Sequence, residues 1–549
     1  MSEVIYLLAA VFAAASMLVL LMEELSHPYI PAYIGAGILT GLFVDASAFY
    51  TAAEIGVAFL VFIFGVKLEP DRLRSVASES QLMTTLQIAS VGLLSLPVML
   101  LVGVTVVEAI YLSIAVSLSS SLIGMQLLHK EIDIDLLHGR LAESSQLLQD
   151  VIAIIAVVAL NSVHTSSNTV LTHVFLSLVV LGTGLLTRKY IYKFVADFIE
   201  EERELMVITS LGFLTAFVAA AEALNLSIVV GAFAAGMAIS RFPYNVEVID
   251  VMEPLKEFFI LLFFVSVGAL ISIPSFKALL IAGVLLFFSQ VVKPLVSVVA
   301  LAKQGLNLRT AHLTGFNIDQ ISEFSLVIGL EAFLAGTIGF EAFHGLILAA
   351  STSFLISSYT SRHGELLYQK MNALDIWHPG KGRDEDSSHV EEGLENHVIL
   401  IGFDTQGKII AEALQEEGAD FVVIENNPEN LMEASEQVEN YIFDDVMNES
   451  AWRKARAEKA SLVISTVPFN KVTERLLQKD LKADLIVRCT TIEEASRFVD
   501  ECLYVEVPEL LVSEQLADHI NGVLKDERYR EELRRKNLLE IRELLSEQE

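Results

Sequence analysis

The sequence predicts a polytopic α-helical membrane domain followed by a cytoplasmic, Rossmann-like α/β domain. Of the 549 residues, 53% are hydrophobic, and they are concentrated in the first 360 positions, in runs long enough to cross a bilayer. From Arg362 onward the chain is strongly charged and contains the strand, glycine-turn and helix patterns of a soluble domain. The predicted order is a membrane domain, a hydrophilic linker, an α/β domain and a charged helical tail, at residues 1–360, 361–395, 396–510 and 511–549.

Thirteen apolar runs are predicted to be membrane-spanning helices. The basic residues of the connecting loops fall on one side of these runs, and Lys277 is the exception. Because cytoplasmic loops carry an excess of Lys and Arg, we expect an integral protein of the cell membrane with its N-terminus outside and its α/β domain in the cytoplasm. The predicted helices are residues 4–22, 28–44, 51–67, 80–103, 107–128, 141–162, 168–187, 204–222, 225–240, 253–272, 278–301, 309–333 and 340–360.

Charge and cysteine content restrict the classes of partner and cofactor. The net charge of −32 argues against nucleic acid as a partner, because nucleic acid requires a basic surface. The two cysteines, Cys489 and Cys502, do not have metal-ligand spacing, so no metal cofactor is predicted. An enzyme is not predicted either, because the chain offers no separate catalytic domain.

Asp150 is the most informative single residue. It lies inside the sixth predicted helix, and an ionisable side chain at that depth in a membrane is a functional-site hypothesis by default. Burial disfavours the charged form of a carboxylate, so Asp150 is predicted to exchange protons near neutral pH. The alternative is a hydrogen-bonded carboxylate with a structural role.

Helices one to six and eight to thirteen are predicted to be two halves of opposite orientation, with helix seven as a linker. Such inverted repeats are common in secondary transporters, whose sites lie near the midplane and use polar or broken helices. The fifth helix of each half is polar in the sequence. The serines also fit an alternative role in close helix packing. The candidate residues in these two helices are Ser119, Ser120, Ser121, Gln320 and Glu323.

The motifs and their order resemble those of the monovalent cation:proton antiporter family that contains the Kef glutathione-gated potassium efflux systems. The resemblance covers nearly the whole chain, and its specificity comes from the order and spacing of motifs that are individually weak. These motifs are PAYIGAGILTG, GVAFLVFIFGVKLEP, SLSSSLIGMQLL, LLQDVIAI, GAFAAGMAIS, FFILLFFVSVGALI and DQISEFSLVIGL.

The resemblance implies that Asp150 binds a proton and a monovalent cation in alternation. The preceding residue, Gln149, matches the potassium–proton subgroup, whereas two adjacent acids accompany electrogenic sodium exchange. With one titratable carboxylate at the site, one proton replaces one K+ (or Na+), so exchange should be electroneutral. Gln149 would offer a neutral amide oxygen. A sodium–proton antiporter and a ligand-gated, channel-like potassium efflux path are the alternatives, although no TVGYG-like filter is present.

Lys293 is the basic residue that lies well inside a predicted helix. In related antiporters the equivalent lysine pairs with buried acids, so Lys293 is expected either to stabilise the charged form of Asp150 or to pair with Glu323, because a buried charge requires a partner. A purely structural pair of Lys293 with Glu323 is equally compatible. Gln320 and Glu323 match the family pattern, but Ser322 replaces the usual glycine.

The α/β domain begins with a Rossmann half. From His397 the sequence gives a β-branched strand, a glycine turn, an amphipathic helix and a second strand that ends in Glu425. In this arrangement the helix N-terminus receives phosphate and the acid takes the ribose hydroxyls. The region resembles the RCK, or KTN (TrkA-N-like), domain that regulates potassium channels and transporters. The resemblance implies a homodimer, and any ancillary regulator is unknown.

The glycine-rich loop departs from the dinucleotide fingerprint. Asp404 stands where the middle glycine would allow the backbone to approach pyrophosphate. AMP is therefore the first candidate ligand, NAD and ATP are alternatives, and a nucleoside-like ligand, a metal-bridged phosphate or no ligand remain open. The predicted nucleotide site comprises Gly402, Phe403, Asp404, Thr405, Gln406, Gly407, Glu425, Asn426, Asp445, Thr466 and Arg488.

Overall fold

The chain forms two compact units, residues 1–382 and 383–549. The first unit is entirely helical within its described part, and the second is an α/β unit. The computed structural model describes residues 2–25, 27–43, 47–68, 78–131, 137–162, 167–192, 194–195, 203–241, 244–271, 273–373, 388–391, 393–468, 470–479, 481–525, 529–531 and 533–535.

Each of the thirteen predicted helices falls on helical structure in the first unit. Among the described residues, six helices are long and apolar enough to cross a membrane, and Ile30–Gly41 and Ile228–Ile239 are apolar but shorter. The helices are α1 (Ser2–Glu24), α2 (Ile30–Gly41), α3 (Ser47–Lys67), α4 (Ser78–Leu101), α5 (Val106–Ser117), α6 (Ser121–Glu131), α7 (Leu137–Ser162), α8 (Ser167–Tyr190), α9 (Arg203–Ala223), α10 (Ile228–Ile239), α11 (Tyr244–Ala269), α12 (Phe276–Phe287), α13 (Lys293–Lys303), α14 (Leu308–Asn317), α15 (Glu323–Leu334), α16 (Phe340–Arg362) and α17 (Gly364–Ala373).

Two of the predicted spans are discontinuous. The fifth span consists of α5 and α6, separated at residues 118–120, and the twelfth consists of α14 and α15, separated at residues 318–322. The eleventh span contains a π-helical turn at Phe288–Val292, a form that occurs frequently at functional sites. The polar fifth helix of each half is thus broken, as expected for a transporter repeat.

The packing of the helices repeats between the two halves. Helix α1 packs against α2 as α9 packs against α10, and α4 packs against α5 as α13 packs against α14. Across the halves, α2 packs against α11 as α10 packs against α3. Glycines allow the close approach, because a Cβ on Gly37 would lie 2.0 Å from the carbonyl oxygen of Val265, and one on Gly236 would lie 2.2 Å from that of Phe62.

The second unit contains a six-stranded parallel sheet in the order β3-β2-β1-β4-β5-β6. This is the strand order of a doubly wound Rossmann sheet, in which ligands bind where the order reverses beside β1. Strands β1 and β2 are buried along their whole length, as expected when helices cover both faces. The elements are β1 (Val398–Ile401), α18 (Thr405–Glu416), β2 (Phe421–Glu425), α19 (Pro428–Gln437), β3 (Tyr441–Phe443), α20 (Glu449–Lys454), β4 (Leu462–Ser465), α21 (Asn470–Leu477), β5 (Asp484–Arg488), α22 (Ile492–Phe498), β6 (Tyr504–Glu506) and α23 (Pro508–Lys525).

The predicted α/β pattern is confirmed, and the predicted bounds of the polar segments stay predictions. The predicted linker begins with helix α17, and its residues 374–387 lie outside the described residues. The predicted helical tail starts with α23, whereas residues 536–549 lie outside the described residues.

Candidate functional site

The two broken spans are joined to each other at their breaks. The backbone N–H of Ser322 donates to the carbonyl oxygen of Leu118 at 3.1 Å, and the Ser119 hydroxyl donates to the carbonyl oxygen of Ile318 at 2.6 Å. Serines also begin the second half of each span. The Ser120 hydroxyl accepts from the N–H of Ile123, and the Ser322 hydroxyl caps α15. Ser119 and Ser120 therefore satisfy backbone groups that the breaks expose.

Lys293 lies fully buried at the carbonyl ends of the breaks. Its Nζ donates to the carbonyl oxygens of Leu118 and Gln320, each at 2.8 Å, and to the Ser119 hydroxyl at 3.3 Å. The positive charge suits this place, because carbonyl ends of helices carry partial negative charge. Among the described residues no salt bridge joins Lys293 to Glu323, and its hydrogen-bond partners are the Ser119 hydroxyl and two backbone carbonyls that become available because both helices break. An effect of Lys293 on the charge of Asp150 stays a prediction.

Glu323 occupies the opposite position, at the amide ends of the breaks. It is the first residue of α15, and its Oε1 accepts from the Ser121 hydroxyl at 3.1 Å and from the N–H of Leu122, in the first turn of α6, at 3.3 Å. A carboxylate there is favourable, because helix N-termini carry partial positive charge. Lys293 and Glu323 thus stabilise opposite ends of the same pair of breaks without contacting each other.

Asp150 lines a cavity of about 790 Å³ in the first unit. Ser121 and Glu323 line the same cavity. Asp150 is 2% exposed, and within the described residues its Oδ1 accepts no hydrogen bond, as is also true of Oε2 of Glu323. Two buried carboxylates therefore line one cavity, and each has a buried oxygen without a hydrogen-bond partner among the described residues. The structure brings together Asp150, Ser121 and Glu323, and places Ser119, Ser120 and Lys293 behind them in the breaks.

Gln149 points into a hydrogen-bond network and does not line the cavity. Its Oε1 accepts from the N–H of Ser119 at 2.6 Å, and its Nε2 donates to Gln87 and Ser145 at 3.0 Å each. The expectation that Gln149 offers its amide oxygen to a cation is therefore not met, because the exposed backbone N–H at the break takes that oxygen. Gln149 instead fixes α7, and with it Asp150, to the break.

Gln146 is a candidate that the sequence analysis missed. It lies one turn before Asp150 on α7, lines the cavity and donates from Nε2 to the carbonyl oxygen of Asn317 at 2.9 Å. Its Oε1 is buried and, within the described residues, accepts no hydrogen bond. Gln320 also donates to this carbonyl, at 3.2 Å, and to the carbonyl of Ser120 at 2.9 Å. The spacing of four residues from Asp150 was the available signal, because it places both side chains on one helix face.

The glycine-rich loop of the second unit follows β1 at the sheet reversal. Asp404 caps α18, because its Oδ1 accepts from the N–H groups of Gln406 and Gly407, both at 3.1 Å. Glu425, at the end of β2, accepts from the N–H of Phe403 at 2.7 Å and from that of Asn426 at 2.8 Å. The predicted loop residues are therefore brought together, and they bond to one another.

The remaining predicted nucleotide residues also lie at this edge of the sheet. Thr405 is the first residue of α18. The Thr466 hydroxyl donates to the carbonyl oxygen of Ile401 at 3.0 Å, and Arg488 donates to the side-chain oxygen of Gln406 at 2.9 Å. Asp445 accepts from the N–H of Met447 at 2.9 Å. Gly402, between these groups, has a φ of +90° that favours glycine.

Ion-coupled secondary transporters typically have two repeated halves, each with a broken helix. This protein has two such helices, joined at their breaks beside buried carboxylates that line a cavity. Residues 8–362 match the family model described as sodium/hydrogen exchanger, transmembrane. The chain belongs to this family. Residues 398–500 match the TrkA-N domain model.

The curated relatives are described as transporters and not as enzymes. A K(+) efflux antiporter, KefB, of Alkalimonas amylolytica is 24% identical over 74% of this chain, which spans 63% of that relative's length. A glutathione-regulated potassium-efflux system protein, KefC, of Klebsiella pneumoniae is 24% identical, covering 85% of this chain and 76% of the relative. Among solved structures, the TrkA-N domain of the inner membrane protein ybaL from Escherichia coli is 21% identical, with a TM-score of 0.22, covering 23% of this chain and 97% of that one.

Proposed function

We propose that this protein is a secondary antiporter that exchanges K+ for H+, with Asp150 as the shared binding residue. The observation that carries the proposal is the Asp150 carboxylate, which is buried in the cavity wall and has an oxygen without a hydrogen-bond partner within the described residues. A buried carboxylate is costly unless it is protonated or paired with a cation. Proton and cation therefore compete for it, and coupled exchange follows from that competition.

The cavity offers further oxygen ligands for a dehydrated cation. Besides Asp150, the amide oxygen of Gln146 and Oε2 of Glu323 are buried, lack hydrogen-bond partners among the described residues and belong to side chains in the cavity wall. The Ser121 hydroxyl lines the same space. Carboxylate, amide and hydroxyl oxygens suit hard monovalent cations, as they do other hard cations. We assign these four side chains to the cation site.

Acidic side chains give the cavity a cation-attracting wall. Glu143 on α7 and Asp250, Glu253 and Glu257 on α11 line it, and Lys256 pairs with Glu253. Such a wall raises the local concentration of cations. In the proposed orientation, α3 ends and α11 begins on the cytoplasmic side, so the cavity, which both helices line, opens to the cytoplasm. Transport then requires the bundle with α6, α7 and α15 to move against α3 and α11.

The stoichiometry we propose is one proton for one cation. Although two of the carboxylates that line the cavity, those of Asp150 and Glu323, are buried, Oε1 of Glu323 is held by Ser121 and Leu122 at the amide ends of the breaks. We therefore treat Glu323 as a fixed charge and Asp150 as the group that titrates. Sodium is the second candidate cation, and the description of the matched family favours it.

The test is transport by the purified protein in liposomes. Lumenal pH is followed after adding K+ or Na+, at zero and at imposed membrane potential, for wild type and Asp150→Asn. We expect potassium-driven proton movement that is insensitive to potential and is lost in the variant. The matched control is Glu222→Gln, an exposed carboxyl on α9 outside the cavity wall, which should transport normally.

Four results would contradict parts of this proposal. Sodium-driven movement with little response to K+ would make Na+ the substrate. A response that follows the membrane potential would refute electroneutral exchange, and retained coupled flux in Asp150→Asn would remove Asp150 from the site. Potassium flux driven by potential without proton movement would favour a channel-like path.

We also propose that the second unit regulates transport and that the protein is a homodimer. Helix α23 leaves apolar side chains exposed, including Leu516 (57%), Ile520 (50%) and Leu524 (78%). Exposed apolar surface of this kind marks interaction sites. Leu516→Glu with Ile520→Glu should convert the detergent-solubilised dimer to a monomer in light scattering, and an unchanged mass would place any dimer interface elsewhere.

A further inference from the structure

The second unit has the fold of nucleotide-binding domains, yet its two recognition points are already occupied by its own residues. In a Rossmann half, phosphate binds the amides at the N-terminus of the helix after β1, and an acid at the end of β2 takes ribose hydroxyls. Asp404 and Glu425 stand at these points. Whether a nucleotide fits therefore depends on what these two carboxylates contact.

The phosphate position is taken by Asp404. Its Oδ1 accepts from the N–H groups of Gln406 and Gly407 at 3.1 Å each, and these are among the amides that a phosphate would use. A carboxylate there also complements the positive end of α18. A bound phosphate would have to displace this oxygen and then remain beside a negative charge, which is unfavourable.

The glycines of the loop serve contacts within the chain. A Cβ on Gly407 would lie 2.2 Å from the carbonyl oxygen of Gly402, and a Cβ on Gly402 would lie 2.5 Å from the Thr466 hydroxyl. Phe403, between them, is fully buried. These close contacts explain both glycines without a ligand, so the partial fingerprint in the sequence is not by itself a sign of nucleotide binding.

The ribose position is taken as well. Glu425 is 5% exposed. Besides the N–H groups of Phe403 and Asn426, it accepts from the N–H of Asn427 at 2.6 Å and from the side chain of Asn430 at 3.5 Å. An ionised carboxylate has about four acceptor positions, so Glu425 has little capacity left for hydroxyls.

The basic side chain at this edge is partly engaged. Arg488 donates to the side-chain oxygen of Gln406 at 2.9 Å, and the amide nitrogen of Gln406 donates to Glu506 at 2.6 Å. These contacts of Gln406 link α18 to β5 and β6. A phosphate at this place would meet the carboxylates of Asp404 and Glu506 beside a single guanidinium, of which Nη1 is bonded to Gln406 and Nε has no partner among the described residues.

We infer that the glycine-rich loop is capped by its own acid and that Asp404 excludes nucleotide phosphate from the N-terminus of α18. The domain keeps the Rossmann fold but does not take NAD, ATP or AMP through this loop. Asp404 is thus the residue that determines ligand specificity. The inference concerns the second unit and is independent of the proposed antiport.

The test is equilibrium binding to the purified full-length protein in detergent. AMP, ATP and NAD are titrated by calorimetry, with adenosine as the phosphate-free reference. For wild type we expect no binding that depends on phosphate up to about 1 mM. Asp404→Gly frees the two amides and should bind at least one phosphate-bearing ligand with an affinity at least tenfold above wild type. Asp404→Asn keeps a capping oxygen and should behave as wild type does.

Two results would overturn the inference. The first is wild-type binding of a phosphate-bearing ligand about tenfold tighter than adenosine, and it requires no variant to fold. The second is a folded Asp404→Gly that gains no such binding. Thr491→Gly is the matched control, because Thr491 caps the neighbouring helix α22. It should lose similar stability without gaining a ligand.

Discussion

Replacing Lys293 by methionine should destabilise the membrane unit because two carbonyl groups at the breaks lose their hydrogen-bond donor, and not because an ion pair is lost. The change keeps most of the side-chain volume but removes the donor to the carbonyl oxygens of Leu118 and Gln320, both at 2.8 Å. A buried acceptor left without a partner costs about 1–3 kcal/mol, so the two carbonyls amount to roughly 2–6 kcal/mol. Removing a buried charge offsets part of this loss, and we expect a net loss of about 2–4 kcal/mol.

The assay is the midpoint of thermal unfolding of the detergent-solubilised protein, which should fall by on the order of 5 °C or more. Lys303→Met is the control, because Lys303 is exposed at the end of the same helix, α13. It should change stability by less than about 0.5 kcal/mol.

A double variant tests whether Lys293 and Glu323 act separately, as the observed contacts indicate, or form the ion pair that the sequence predicted. Because Lys293 and Glu323 act at opposite ends of the breaks, the losses in Lys293→Met and Glu323→Gln should add to within about 0.5 kcal/mol. If Glu323→Gln instead restores most of the stability lost in Lys293→Met, the two residues form a charge pair. Our account of the breaks would then be refuted.

Two further predictions concern close packing and thiol burial. Gly37→Ala should prevent stable folding, because its Cβ would lie 2.0 Å from the carbonyl oxygen of Val265. The control Gly182→Ala meets nothing within 4 Å and should be neutral or slightly stabilising. Equal yields of the two folded variants in fluorescence-detected size exclusion would contradict this prediction. A maleimide should label one thiol per native chain and two after unfolding, because Cys489 is 1% exposed and Cys502 is partly exposed. Burial raises the pKa of both thiols, so the difference in labelling rate should come from the lower exposure of Cys489, and equal rates at both cysteines would refute that burial.

The helices of the first unit could be located from the sequence because long apolar runs have few alternatives to a membrane-spanning helix. The polar stretches at residues 117–121 and 317–323 marked these two spans as unusual, but the sequence predicted each as one continuous helix and did not place the breaks. The partner of Lys293 could not be predicted in this way. Its carbonyl partners are free to accept a hydrogen bond only because both helices break. The pattern of residues in the sequence does not show where such a carbonyl points. Family resemblance supplied an acid as the partner instead, whereas the hydrogen bonds of Lys293 in the structure go to backbone carbonyls and to Ser119.

Glutamine side chains limited the prediction of the site itself. Gln149 and Gln146 both lie near Asp150, and each amide side chain can donate through its nitrogen and accept through its oxygen. In the structure the oxygen of Gln149 accepts from Ser119, whereas that of Gln146 accepts no hydrogen bond from the described residues. The two breaks decide between them, because the break in the fifth span presents the N–H of Ser119 to Gln149 and the break in the twelfth span presents the carbonyl of Asn317 to Gln146.

The charges at the breaks bear directly on the proposed stoichiometry. Two broken helices leave two carbonyl ends and two amide ends inside the protein, and Lys293 contacts the first pair while Glu323 contacts the second. Opposite charges on Lys293 and Glu323 would balance the opposite helix ends, and under the proposed stoichiometry neither side chain changes its charge during transport. If Lys293 and Glu323 keep their charges, Asp150 is the group that exchanges a proton for a cation. Replacing a proton by one monovalent cation on a single carboxylate leaves the net charge of the site unchanged, so the site can reorient in the membrane with the same electrostatic cost in both loaded states.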